Sequence, residues 1–331
     1  MGYVDQKFKQ KFAHRISLID EFLLERVNTG QQLLDNNFVS MIEAGGKRIR
    51  SVILLLSALI VRGDSQKNQE QFYGLAAAVE ILHMATLVHD DIIDRAKIRR
   101  GKESIPHKLG TERALFVGDF LLARSYNLFH KYLGKELLNR VDRTIKSMCE
   151  GVISEYNNRY NLEISFLTYL KLARRKTALL FGLSTFIGGY KGGLEGRKLN
   201  LLYRFGLQLG MAFQIQDDLL DFTGQDFGLG KPVGQDLKNG VCSLPLVYLF
   251  QEESKSKKLV ANLFRAETTS VQKDQKVKLN KQIQKNNILA KSRKLKKRYS
   301  KRAYLALSKF PENKARNDLE FILEYQKERR K

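Results

Sequence analysis

The stretch LVHDDIIDRAKIRRG, residues 87–101, places three aspartates within five positions of an otherwise apolar helical segment. On a helix, residues four apart lie on one face, so Asp90 and Asp94 point the same way and Asp91 lies about 100° round the axis. Two such carboxylates can share a cation that prefers oxygen ligands, and Mg²⁺ also bridges to substrate phosphates. A solvated acidic helix end is the alternative interpretation of this cluster.

A second acidic cluster repeats the first: DDLLD at 217–221 contains Asp217, Asp218 and Asp221, again near the end of a long apolar segment. Like charges four residues apart repel, and acids near a helix C-terminus oppose the helix dipole. Because the repulsion and the unfavourable dipole interaction both occur at two places, a solvated acidic helix end explains the pattern less well than a bound cation. The sequence therefore predicts two metal-binding walls.

Basic residues surround glycines close to these acids. Arg99 and Arg100 follow the first cluster, and guanidinium groups bind phosphate oxygens bidentately. The segments GGKRIR (45–50) and GLGKPVG (228–234) combine cations with glycines, which let backbone amides approach an anion. The phosphate-loop pattern GxxxxGK[ST] is absent. Acid walls and basic clamps together indicate a pocket for two diphosphates.

The rest of the 331-residue chain favours an all-α fold in a single domain, 1–331, because prolines are few and strand-like alternation is missing. We expect an N-terminal helix at about 1–28 and a basic C-terminal helical region at about 251–331. Gly188-Gly189 and Gly192-Gly193 are expected in loops. The predicted helices span 4–26, 31–44, 47–62, 68–96, 111–131, 137–160, 164–188, 198–223, 241–252, 258–265 and 313–330, with more helix between 270 and 310.

The net charge of +23 is uneven, because residues 251–331 hold 24 Lys+Arg and 9 Asp+Glu. This favours an anionic partner, or else a solvated basic surface. No nucleic-acid signature accompanies the charge, so we expect no nucleic-acid partner. Two cysteines and the lack of a signal-peptide pattern favour the cytosol. The apolar run 51–61 is too short to span a bilayer.

Five segments occur in the order and spacing of trans-polyprenyl diphosphate synthases: GGKRIR, LHMATLVHDDIIDRAKIRRG, RRKTA, FQIQDDLLDF and GLGKPVGQDLKNGVCSLPLVY. The resemblance runs from about residue 30 to the end. It is nearest to the catalytic component, component II, of Gram-positive heptaprenyl diphosphate synthases. It implies the isoprenoid synthase fold, a helical bundle around a central cavity. It also implies sequential condensation of isopentenyl diphosphate onto farnesyl or geranylgeranyl diphosphate, with trans double bonds.

The resemblance also implies roles for individual residues. Both aspartate clusters would hold about three Mg²⁺ ions that bridge the allylic diphosphate. For His83 and Lys176 the alternatives are a satisfied core histidine and a solvated cation, and His89 is interpreted as structural. The implied contacts are Arg99, Lys176 and Lys231 to the allylic diphosphate, Lys47, Arg50, His83 and Arg100 to isopentenyl diphosphate, and Thr177 and Gln214 at the reaction centre.

Product length should depend on the helix that carries the first cluster. One turn rises about 5.4 Å, close to the length of one isoprene unit, so side chains one turn before Asp90 decide whether a tail passes. Those residues are Ala85 and Thr86, which are small. Leu82, with Ile81 and Ala78 deeper still, would wall or floor a tunnel. We predict a product of about six to eight units, with heptaprenyl first; close helix packing is the alternative role.

The sequence departs from the family pattern at Ser51, Val152, Glu155 and Val241, where proline, glutamate, glutamine and lysine are usual. Alternatives for function remain open: a self-sufficient homodimer, a catalytic half that needs a small regulatory subunit, a short-chain geranylgeranyl synthase, or a non-catalytic relative. Intact acidic motifs argue against the last. Because the product is apolar, a peripheral membrane contact is also envisaged.

Overall fold

The computed structural model describes residues 3–26, 30–62, 69–223, 235–265 and 269–328. Within these ranges the chain is almost entirely helical, so the all-α prediction is confirmed. The elements are α1 Tyr3–Leu24, α2 Gln32–Glu43, α3 Ile49–Arg62, α4 Gln69–Ile93, β1 Ile98–Arg99, β2 Lys102–Glu103, α5 Ile105–Leu109, α6 Thr111–Tyr132, α7 Lys135–Asn157, α8 Phe166–Ala173, a π-helical turn Arg174–Ala178, α9 Leu179–Lys191, α10 Gly196–Thr223, α11 Gln235–Lys238, α12 Leu244–Glu252, α13 Lys255–Arg265, α14 Thr269–Lys285, α15 Ile288–Leu307 and α16 Lys314–Glu328.

The centre of the bundle is built by apolar helices that bury most of their surface. Helix α4 packs on α6, α3 packs on α9, and α10 lies between α9 and α15. Helix α4 is long and apolar enough to cross a membrane by length and composition alone, yet 72% of its apolar window is buried inside the protein. That burial is what a central core helix requires. The first acidic cluster lies at the end of α4, and the second lies on α10.

The prediction of a loop at Gly188-Gly189 was wrong, because both glycines lie inside α9. A Cβ built on Gly188 would lie 2.1 Å from the carbonyl oxygen of Leu54 on α3. Glycine here permits two helices to touch backbone to backbone, a close approach rather than a turn. The helix predicted over 164–188 therefore continues to Lys191.

Two local features were not predicted. The segment RRKTA forms a π-helical turn between α8 and α9, and such turns are frequent at functional sites. After α4, β1 and β2 pair antiparallel, with Ile98 opposite Glu103. Arg100 and Gly101 make the tight turn with φ of 51° and 80°. This hairpin folds the basic pair back toward the end of α4.

Candidate active site

The first acidic cluster lies at the C-terminal end of α4, which ends at Ile93 rather than at the predicted residue 96. The backbone N–H of Asp94 still bonds to the carbonyl of Asp90 at 2.8 Å, so one helical turn separates the two carboxylates. The hairpin returns Arg99 over the cluster, where its Nε donates to both carboxylate oxygens of Asp91 at 2.7 and 2.6 Å. Asp91 is thus engaged by the arginine that follows it.

Two further cations balance the first cluster. Arg159 on α7 lies 2.5 Å from the carboxylate of Asp94. Burial raises the pKa of Asp90; the nearby Lys176 ammonium opposes this rise, while the carboxylates of Glu155 and Asp94 add to it. Each aspartate of the cluster therefore has a positive neighbour that a bound cation or a diphosphate would have to displace or share.

Lys176 lies in the π-helical turn, within 2.6 Å of the Glu155 carboxylate. Burial lowers the pKa of Lys176, but the carboxylates of Glu155 and Asp90 outweigh burial and the pKa is raised overall. The lysine is thus held protonated next to the first cluster. Glu155, one of the departures from the family pattern, is its direct partner.

The second cluster divides between two cavities. Asp217 lines a cavity of about 460 Å³ that also contains the basic residues of the GGKRIR segment. Asp218 lines a smaller polar cavity of about 60 Å³ together with Asp236. Asp221 lies one turn after Asp217 on α10 and is partly buried. The two adjacent aspartates at 217 and 218 consequently face different surroundings.

Asp218 is held by hydrogen bonds from neutral groups. Its carboxylate accepts from the hydroxyl of Tyr169 at 2.7 Å, the amide of Gln214 at 2.9 Å and the backbone N–H of Leu244 at 3.0 Å. Burial raises the pKa of Asp218 to about 6, although these hydrogen bonds act to lower it. Gln214 in turn accepts from Thr177 at 2.5 Å. This series of hydrogen bonds links the π-helical turn to α10.

Basic residues from three separate segments of the sequence meet at one cavity. Lys47, Arg50, His83, Arg99 and Arg100 all line the cavity of about 460 Å³. Burial lowers the pKa of His83 well below its ordinary value, and the surrounding arginines lower it further. His83 is therefore neutral at physiological pH and fits a hydrogen-bonding role in a cationic pocket.

A buried ion-pair network lies beneath these basic residues. Arg48 adopts φ of 45° and is almost fully buried. It donates to Asp20 at 2.8 Å and to Glu80 at 2.9 Å. Ser51, which replaces the usual proline, donates to Glu80 at 3.1 Å. Neither Arg48 nor Glu80 was predicted as a site residue, although a buried arginine requires carboxylate partners of this kind.

A third, mainly apolar cavity of about 350 Å³ opens beside Asp90 and Lys176. Leu82, Ala85 and Thr86 line it, as predicted for residues along a prenyl tail. Ile81 and Ala78 are absent from its lining; the opposite side is made by α6 and α7 through Leu122, Leu115, Ile145, Met148 and Val152. The tail would therefore run between α4 and the α6–α7 pair.

Other predictions meet the structure differently. His89, which was interpreted as structural, also lines this apolar cavity, and its Nε2 lies 3.3 Å from the carboxylate of Asp119. Val241 lines the small polar cavity near Asp218. Lys231 and the segment GLGKPVG lie outside the described residues.

Two residues at the site were missed. Arg159 lies far in sequence from the first cluster and carries no motif that would mark it. Asp236 is partly buried, and its pKa is raised by burial and by the carboxylates of Asp221 and Asp218. An acid inside a glycine-rich segment just after the second cluster, GQDLKNG, was a signal that could have identified it.

An almost entirely helical bundle with two aspartate clusters, a cationic cavity and an apolar cavity is typical of enzymes that handle diphosphates with long apolar tails. Comparison with known proteins agrees: the profile described as polyprenyl synthetase matches residues 31–280. The chain belongs to the polyprenyl synthetase family and is a prenyltransferase.

Similar proteins cover almost the whole chain. Heptaprenyl diphosphate synthase component 2 from Bacillus subtilis (strain 168) is 35% identical over 97% of this chain and 90% of its own. The crystal structure of heptaprenyl diphosphate synthase from Staphylococcus aureus has a TM-score of 0.89 at 28% identity, covering 97% of this chain and 99% of that one. A polyprenyl synthase from Caulobacter crescentus CB15, complexed with calcium and isoprenyl diphosphate, has a TM-score of 0.87 at 29% identity, covering 100% and 99%.

Proposed function

We propose that this chain makes heptaprenyl diphosphate, by adding isopentenyl diphosphate units to farnesyl or geranylgeranyl diphosphate. The observation that carries the proposal is the apolar cavity beside Asp90, which passes Ala85 and Thr86 without an aromatic side chain to close it. Similarity to a heptaprenyl diphosphate synthase component supports the length. Along α4 the lining runs back from Asp90 to Leu82, about two helical turns, which accommodates the first isoprene units of the tail at about one unit for each turn.

The donor set at the two acidic walls fits Mg²⁺. Asp90 and Asp94 on one wall and Asp217 and Asp221 on the other offer only carboxylate oxygens, the ligands of hard divalent cations. The Caulobacter relative carries calcium with an isoprenyl diphosphate, which supports a divalent site. When bound, Mg²⁺ would stabilise the charge that develops on the leaving diphosphate. Because neutral groups already hold Asp218, we give it a supporting role.

The chain's own cations would bind the two substrates. Arg99 and Lys176, next to the first cluster, together with Lys231 would contact the allylic diphosphate; Lys47, Arg50, His83 and Arg100 would hold isopentenyl diphosphate in the cationic cavity. Fixed positive groups stabilise charge that forms as the allylic carbon–oxygen bond breaks. Thr177 and Gln214, hydrogen-bonded to each other, would orient the reacting carbons between the two sites.

The apolar walls exclude water, which would quench the allylic cation. The isopentenyl double bond would attack that cation and form the new carbon–carbon bond. One proton must then leave the isopentenyl unit. His83 lines the cationic cavity, but burial and its arginine neighbours lower its pKa, so it takes up a proton poorly. We infer that the released diphosphate accepts the proton.

A protein partner would cover the mouth of the apolar cavity. Leu115 (45% exposed) and Ile153 (61%) line the cavity, and Phe116 (68%) and Tyr156 (60%) are exposed on the same two helices, α6 and α7. An exposed apolar patch of this kind marks an interaction surface. We propose that a second copy or a small regulatory subunit binds here, since the Bacillus relative is named as one component of its enzyme. The assembly would be cytosolic.

The test is a product assay on the purified chain alone with farnesyl diphosphate, labelled isopentenyl diphosphate and Mg²⁺. A ladder that ends near seven units supports the proposal, and a ladder that stops at four units contradicts it. Ala85→Phe should shorten the ladder because the larger side chain fills the cavity. Thr86→Val should preserve the ladder, because valine and threonine are similar in size. No product from a folded chain that binds both substrates would indicate a required partner subunit.

A further inference from the structure

The helical pair α14–α15 concentrates positive charge far more than the rest of the chain. Residues 269–307 contain 13 Lys+Arg and a single acid, Asp274. This segment of 39 residues therefore supplies 12 of the 23 net positive charges. The two helices pack on each other, and α15 also packs on α10 and α12, away from the α6–α7 wall of the apolar cavity.

The exposed cations of α15 form one continuous stripe. They recur at one- and four-residue spacing, which keeps them on one helical face over about 14 Å. From α14, Lys278, Lys281 and Lys285 are exposed as well. The stripe consists of Arg293, Lys294, Lys297, Arg298, Lys301 and Arg302.

Little negative charge compensates the stripe. Within the described ranges, the ion pair from α15 is that of Lys291 with Glu252, at 2.6 Å, and Lys291 lies outside the stripe. Burial lowers the pKa of Lys296, and the positive charges of Arg293 and Lys327 lower it further. The free protein thus bears the repulsion of close like charges, which an external anionic surface would relieve.

The same face continues into apolar side chains at the end of α15. Tyr304 is 45% exposed and Leu305 is 50% exposed, one turn after Lys301 and Arg302. Cations beside an aromatic and an aliphatic residue are typical of helices that lie in a bilayer interface, with the basic groups among the phosphates. We name Arg293, Lys294, Lys297, Arg298, Lys301, Arg302, Tyr304 and Leu305 the basic face.

We propose that the basic face docks this enzyme on a bilayer of anionic phospholipid. A protein partner fits less well, because six of the eight residues of the basic face are charged, whereas the core of an interface between proteins is depleted in charged residues. A nucleic acid fits less well too, because the aromatic residue between these cations, Tyr299, is only partly exposed and Arg302 lies over its ring, which leaves little of the ring open for base stacking. The inference deepens the envisaged membrane contact and rests on the proposed long-chain product, whose apolar tail favours delivery at a lipid surface.

The test measures co-sedimentation of the full chain with vesicles, with no substrate present. The vesicles contain phosphatidylcholine alone or equal parts of phosphatidylcholine and phosphatidylglycerol. The face variant carries K294Q, K297Q, R298Q, K301Q and R302Q. The control variant removes the same five charges elsewhere through K135Q, R143Q, K171Q, R197Q and K198Q, at exposed positions of the described structure. Both variants should fold, which circular dichroism checks.

We expect the wild type to bind only the anionic vesicles and to be released by high salt. The face variant should bind on the order of a hundredfold more weakly, and the control variant should lose much less. Equal losses in the two variants would show a general charge effect and overturn the proposal, as would absent wild-type binding or tighter binding to duplex DNA. The vesicle experiment measures no turnover, so its result can be interpreted even if the product assay contradicts the proposed function.

Discussion

The two aspartate clusters have the same spacing but different neighbours. On α4, arginines contact Asp91 and Asp94, so charge is balanced by charge. On α10, neutral donors from Tyr169, Gln214 and a backbone amide hold Asp218. The aspartates on α4 can exchange an arginine for a metal cation. If the buried network around Asp218 on α10 opened, its hydrogen-bonding groups would be left without partners.

This difference divides the aspartates by role. The first cluster is suited to exchange, because its cationic neighbours Arg99 and Arg159 are partly exposed and can turn to a diphosphate. In the second cluster Asp218 anchors the wall, and Asp217 faces the cationic cavity. The same DDxxD pattern therefore has two roles: on α4 its aspartates can change their cationic partners, and on α10 Asp218 stays in a fixed hydrogen-bond network.

The largest effect should come from the carboxylates that we assign to the cation at each wall. Asp90→Asn and Asp217→Asn should each lower kcat by about a thousandfold, because each removes a charge that holds the cation at the leaving group. Steady-state incorporation of labelled isopentenyl diphosphate measures this. Asp119→Asn, an exposed acid on the apolar cavity, is the matched control and should retain most of the activity.

Breaking the ion pair on α4 should change the requirement for metal rather than abolish turnover. Arg159→Gln frees Asp94 and removes a nearby positive charge, so half-maximal activity should need about fivefold less Mg²⁺. A titration of rate against Mg²⁺ measures it. Arg175→Gln, which breaks a pair with Glu150 at the surface, serves as control. A higher Mg²⁺ requirement in Arg159→Gln would mean that the arginine positions Asp94 instead of competing for it.

Breaking the network on α10 should affect stability more than metal use. Tyr169→Phe deletes one buried donor to Asp218 and should lower the free energy of unfolding by about 1–2 kcal/mol. Urea denaturation measures the loss, and the more exposed Tyr190→Phe is the control. A variant with native stability but a greatly raised Mg²⁺ requirement would place Asp218 among the metal ligands and remove the distinction between the clusters.

Much of this arrangement could be predicted from the sequence. The helical period placed Asp90 and Asp94 on one face, and glycines beside cations marked the wall that contains Lys47 and Arg50. Small residues before the first cluster predicted the open cavity at Ala85. These features depend on local spacing, which the sequence states directly.

What could not be predicted depends on neighbours distant in sequence. Nothing local shows that Arg159 meets Asp94, or that α8 and α12 send donors to Asp218. His89 was interpreted as structural, and nothing in its local sequence shows that it borders the apolar cavity. Gly188 was read as a helix breaker because glycine is permissive, whereas contact with α3 requires its lack of a side chain.

The smallest effect concerns a position where the two clusters also differ. Seven residues before Asp90 stands His83, and seven before Asp217 stands Gly210, whose missing side chain lets α10 approach Ala178. Burial and positive neighbours lower the pKa of His83 in the folded protein. The unfolded chain, with an ordinary pKa near 6.5, then binds more protons as pH falls below that value. Acid should therefore cost stability through His83. The cationic neighbours are Arg48, Arg50, Arg99 and Arg100.

The wild type should lose up to about 1.4 kcal/mol of unfolding free energy per pH unit through this group below about pH 6.5. His83→Gln should show a shallower decline, because glutamine cannot gain the proton that the folded pocket disfavours. Urea denaturation at several pH values measures the slopes. His14→Gln, at an exposed position on α1, should follow the wild type. If His83→Gln instead declines as steeply as the wild type, the acid sensitivity lies elsewhere, and His83 gains a proton in the folded pocket as readily as in the unfolded chain.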